Sequence, residues 1–184
     1  MSLLHNEVVM DVVYLFLTAA MFLKIAYIDY KEHYIYDVDI SIVTAIIVGY
    51  NLLFTNFKDM FMGGILGFAI GYAIYAMSYY VYKEEAFGFG DVLLLGVLGL
   101  YFGYPTFFHY FAITIMATGV IAAVLIIYDS KYRKMEVPMA PIFTLGAVSY
   151  VIFGYPSIED AVIAVYYDFF VGLLGVFELV LKTA

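Results

Sequence analysis

Long stretches without a formal charge decide what this chain can fold into. Residues 60–82 and 92–128 contain no Asp, Glu, Lys or Arg, and the charges collect in short clusters between such runs. Apolar residues make up 66% of the chain against 13% charged, with a mean hydropathy of +0.98. A soluble domain carries about 45–50% apolar residues, so this pattern predicts a membrane protein. Lipid offers no partner to backbone N–H and C=O groups, so only helices and closed barrels can span it. A barrel needs alternating segments of about ten residues. The runs here are continuous and longer, which predicts an all-α, polytopic membrane protein.

With about 20 residues needed per crossing, six transmembrane helices are expected, over 8–28, 40–54, 60–82, 91–102, 107–128 and 139–153. The fourth is too short for an ordinary straight crossing and is expected to be shielded by its neighbours. The tail 161–181 is apolar but interrupted by Asp168 and Glu178. It is read either as a seventh helix or as an interfacial one. No cleavable signal is expected, because the first apolar run lacks a basic flank and a small-residue cleavage site. The spans leave no room for an appended soluble domain, so 1–184 reads as one membrane-embedded domain.

Cysteine is absent, which excludes a disulfide, a thiol nucleophile and a Cys-ligated zinc site. No His/Asp/Glu spacing points to a metal, and no cofactor is expected. The formal charge of −8 suits a basic partner rather than nucleic acid. Basic residues orient the helices. The loops after the first, third and fifth spans hold Lys31, Lys83, Lys131, Arg133 and Lys134, whereas those after the second and fourth hold only Lys58. The former loops are expected on the cytoplasmic side. Gly63-x-x-x-Gly67-x-x-x-Gly71 in the third span is a small-residue stripe that lets helix backbones approach closely.

Two aspartates fall at span ends on that cytoplasmic side. Asp29 closes the first apolar run; Asp91 follows Gly88-Phe89-Gly90 and opens the fourth. A carboxylate at such depth is a functional-site candidate by default. Each also has an ordinary reading. Asp91 after Gly90 would make a good helix N-cap, and Asp29 would be a solvated residue paired with Lys24 or Lys31. The dipole at a helix C-terminus disfavours Asp29, however. Lys24, one turn inside, reads as snorkelling to the headgroups. Intramembrane serines such as Ser41 and Ser78 read as bonding their own helix carbonyls.

Asp29-Tyr30-Lys31 followed by Ile35 and Asp37, together with Gly88-Phe89-Gly90-Asp91, resembles the type IV prepilin peptidases. That family comprises membrane aspartyl proteases of the GxGD class and their archaeal preflagellin peptidase relatives. Val137-Pro138-Met139-Ala140-Pro141 is similar to the proline-containing opening of the last core span in relatives. Leu93 departs from the pattern, since bacterial members carry lysine there. The cysteine-paired region linked to N-methylation is also missing, so the resemblance implies peptidase without methyltransferase activity. It further implies catalytic roles for Asp29 and Asp91, and a membrane-bound precursor substrate, prepilin-like or preflagellin-like. Such a precursor has a short basic leader and a hydrophobic helix, and is cut at the cytoplasmic face. Gly88, Phe89, Gly90 and Lys31 are candidate substrate contacts. Glu84 and Glu85, with Glu32, Asp37 and Asp39, are candidates to attract the leader. The rival readings are a small carrier binding protons or cations at Asp29 and Asp91, a presenilin-like intramembrane protease, and a non-catalytic assembly protein.

Overall fold

In a computed structural model of the chain, residues 2–54, 57–82, 87–128 and 138–153 are described. They form six helices and no strand: α1 (Ser2–Glu32), α2 (Asp37–Phe54), α3 (Phe57–Tyr82), α4 (Phe89–Phe102), α5 (Thr106–Tyr128) and α6 (Met139–Phe153). The chain divides into two compact units, Met1–Val148 and Ser149–Ala184. The first holds α1 to α5 and the start of α6. Of the second, only the end of α6 lies among the described residues; the tail 161–181 lies outside them.

The six helices fall where the apolar runs predicted them, and the fold is that of a polytopic membrane protein. Val9–Glu32, Asp37–Phe54 and Phe57–Val81 are long and apolar enough to cross a bilayer; α4 and the apolar stretches Thr106–Val120 and Met139–Ile152 are shorter. The surface is correspondingly inside-out for a soluble protein: Phe16 is 73% exposed and Leu53 75%. Large apolar side chains facing outward are what a hydrocarbon solvent requires.

Two of the helix ends that differ from expectation bear on the site. α1 continues past Ile28 to Glu32, because nothing in Asp29-Tyr30-Lys31-Glu32 breaks a helix. It stops at His33, whose φ of 51° is left-handed and whose N–H donates to the Asp29 carbonyl at 2.9 Å. α4 starts at Phe89, with Gly88 as an extended N-cap at φ −72° and ψ 147°. Asp91 is therefore the third helical residue and not the N-cap.

α4 is the central element. Its 14 residues reach about 21 Å at 1.5 Å per residue, short of a hydrocarbon core of about 30 Å. It is shielded as expected: Val92, Leu94, Leu95 and Leu98 are fully buried, and α4 touches α2, α3 and α5. The glycine stripe of α3 explains the closest of these contacts. A Cβ at Gly63 would collide with the Gly99 carbonyl, one at Gly67 with the Leu95 carbonyl, and one at Gly71 would sit 3.0 Å from Val92 Cα. The stripe thus serves helix packing, and it sets the height of α4 one residue away from Asp91. At the opposite end of the bundle α1 and α2 are joined by Tyr14 stacked on Tyr50 at 3.9 Å and by the Tyr50 hydroxyl donating to Asp11.

Candidate active site

Asp29 and Asp91 lie 62 positions apart in sequence, yet their carboxyl groups interact electrostatically in the fold. Alternating helix direction brings the end of α1 and the starts of α4 and α6 to one end of the bundle. Asp29 is 6% exposed, and its Oδ2 accepts the backbone N–H of Ala140, in the first turn of α6, at 2.9 Å. Neither lysine considered as its partner takes that role. Lys24 reaches across to α2 and pairs with Asp39 Oδ1 at 2.6 Å. The Lys31 ammonium lies over the Tyr27 ring, 4.8 Å from its centroid.

Asp91 is held differently. Its main-chain N–H donates to the Gly88 carbonyl at 3.1 Å, and its Oδ2 lies beside the Gly88 backbone. Its Oδ1 is buried and has no hydrogen-bond partner among the described residues. An ordinary capping role therefore does not account for this oxygen. Unsatisfied buried oxygens are uncommon enough in folded proteins to require a reason.

Gly88 has an ordinary extended backbone, and the two glycines before Asp91 provide room. A Cβ at Gly88 would stand 3.3 Å from Asp91 Oδ2, and one at Gly90 3.0 Å from Ile35 Cβ. Gly90 thereby lets the α1–α2 connection close against the start of α4. Between the glycines Phe89 is 48% exposed and meets Tyr75 edge-on at 6.0 Å.

The other acidic candidates have different surroundings. Glu84 and Glu85 lie outside the described residues. Asp39 is no loop carboxylate: it is 4% exposed within α2 and engaged by Lys24. Glu32 accepts the Tyr36 hydroxyl at 2.8 Å, and that hydrogen bond to a carboxylate pushes the phenol above its ordinary titration range. Asp37 is exposed at the start of α2. Ser41 and Ser78 donate to the Asp37 and Tyr75 carbonyls of their own helices, each at 2.8 Å. Sequence reasoning missed Ala140, whose contribution is a main-chain N–H and leaves no trace in residue type. The bracketing Pro138 and Pro141 were the available signal, since proline favours the first turn of a helix.

Residues 15–127 match the sequence profile of the type IV leader peptidase family. The chain belongs to that family. No curated protein and no solved structure matches it. Membership makes this leader peptidase a membrane protease acting on prepilin-type precursors in general. The matched span contains Asp29, the Gly88-to-Asp91 segment and the α3 glycine stripe. It ends before α6, so the N–H that meets Asp29 comes from outside the matched region.

Proposed function

We propose that this leader peptidase is an aspartic endopeptidase whose catalytic groups are Asp29 and Asp91. In this reading it removes the basic leader from prepilin-like or preflagellin-like precursors at the cytoplasmic face of the cell membrane. The observation that carries the proposal is the convergence of these two carboxyl groups at one end of the bundle, the second with a buried oxygen that no group among the described residues engages. Two carboxyl groups in mutual electrostatic range share one proton and titrate as a coupled pair. The ionised member takes a proton from water as the water oxygen bonds to the scissile carbonyl carbon. The protonated member gives its proton to the carbonyl oxygen, forming a gem-diol. Collapse of the gem-diol breaks the C–N bond, and the departing amine takes up a proton from the pair. Both residues stand within the terminal turn of their helices, a depth suited to a substrate cut beside the membrane rather than to a carrier site at its midplane. Lys31 in the last turn of α1 and the basic residues Lys83, Lys131, Arg133 and Lys134 of the following connections support the cytoplasmic assignment, and exposed Asp37, with Glu84 and Glu85, suits a basic leader.

Asp29→Asn and Asp91→Asn should each abolish processing of a co-expressed prepilin-type substrate, read as the loss of the gel shift, while membrane insertion stays intact. Asparagine keeps the shape but supplies neither the base nor the shared proton. Near wild-type processing by either variant would remove the aspartyl mechanism. Asparagine also keeps a hydrogen-bonding side chain at the helix start, so the Asp91 variant is not confounded by a lost cap.

A further inference from the structure

We infer that the Ala140 backbone N–H at the start of α6 is the positioning group for Asp29, so that α6 takes part in catalysis through its main chain. The inference rests on Asp29 being catalytic, as proposed above. Asp29 stands in the last turn of α1, where a helix presents carbonyls and not N–H groups, so its own helix end has no donor to orient it. A donor must come from another element, and α6 supplies it at 2.9 Å. The first N–H groups of a helix are unpaired within that helix and concentrate positive potential there. Pro141 removes one of these donors, and Pro138 immediately precedes the helix, which narrows the choice next to Asp29 to few N–H groups.

The donor is itself held in place. The Phe143 carbonyl accepts the Tyr110 hydroxyl of α5 at 2.8 Å, both residues being buried. Thr144 Oγ1 donates to the Phe22 carbonyl of α1 at 3.3 Å, about two turns before Asp29. A Cβ at Gly146 would collide with Thr114 of α5. α6 thus meets α1 at two heights, once through Thr144 and once through Ala140. The lower contact fixes the spacing at which the upper one orients the carboxylate. A misplacement of about 1 Å in a catalytic group can cost about a hundredfold in rate, so a single backbone donor is enough to matter.

The test deletes the N–H alone. Replacing Ala140 by lactic acid in the full-length protein substitutes an ester oxygen for that N–H and keeps the side chain. With a purified prepilin-type substrate in liposomes, kcat should fall about ten- to a hundredfold, with KM within about twofold of wild type. Gly49→Ala in α2, where a Cβ meets nothing within 4 Å, is the control and should retain kcat. Ala140→Pro deletes the same donor by ordinary mutagenesis; it should reproduce the kcat loss and serves if the ester protein does not fold. An unchanged kcat in an N–H-deleted protein, or a loss confined to KM, would overturn the inference. The parent reading fails separately: cleavage by Asp29→Asn removes it, whereas an inactive Asp29→Asn beside a fully active ester protein removes only the positioning role.

Discussion

A buried charge that has a partner governs what a single substitution does, and one pair joins α1 to α2. Lys24 and Asp39 form an ion pair in which Asp39 is almost fully buried and Lys24 is half exposed. Removing the lysine leaves a buried carboxylate unpaired, a change costing about 3–5 kcal/mol for fully buried pairs. The exposure of Lys24 lowers the figure here. Lys24→Met should therefore destabilise the detergent-solubilised protein by about 2 kcal/mol, and Lys24→Met/Asp39→Asn should recover most of the loss. A thermal melt of the two variants checks the order. A double variant no more stable than the single one would show that the pair is not what Lys24 contributes. Because the pair joins α1 to α2 just below Asp29, the single change should also reduce cleavage.

At the scale of helices, α3 and α4 make the contact on which the site's depth depends. Gly67→Ala forces a methyl group into the Leu95 carbonyl, and overpacking of this kind costs about 1–3 kcal/mol. Gly49 in α2 is the matched control, because a Cβ there meets nothing within 4 Å. Gly49→Ala should be neutral or stabilise by up to about 1 kcal/mol, the helix-propensity difference. Gly71→Ala lies between them: its Cβ would stand 3.0 Å from Val92 Cα, so α4 must shift by a few tenths of an ångström beside Asp91. Its cleavage rate should drop more than its melting temperature. Comparable melting of all three alanine variants would contradict the packing account.

For the whole molecule, the testable quantity is which way the active end faces. Single cysteines at Lys31, Lys83 or Arg133 should react with an impermeant thiol reagent only from the cytoplasmic side, and one at Lys58 only from the other. The natural chain has no cysteine, so the labelling background is empty. Reaction of the first three from outside would invert the topology and move the proposed cleavage to the opposite face. The same placement predicts that Glu84→Gln/Glu85→Gln raises KM for a basic leader with little change in kcat. That defect should fade at high salt as the attraction is screened over a Debye length of about 8 Å or less. A substrate with neutralised leader lysines should not respond to the double change.

Among the described residues, the type and approximate bounds of the helices were legible in the sequence because lipid enforces them locally. Each uncharged run must form its own backbone hydrogen bonds, so its structure depends on little beyond itself. Asp29 and Asp91 stood out for the same reason, as charges at span ends, and so did the α3 glycine stripe as a packing surface. The partners of those groups were not legible, since a partner is a relation between distant segments. Lys24 read as a snorkelling residue and Asp39 as a loop charge until the crossing of α1 and α2 placed them 2.6 Å apart. Asp91 read as an N-cap until α4 proved to begin two residues earlier, at Phe89. The donor to Asp29 was hidden most completely: a backbone N–H is common to every residue but proline, so only the fold singles out Ala140, 111 positions away.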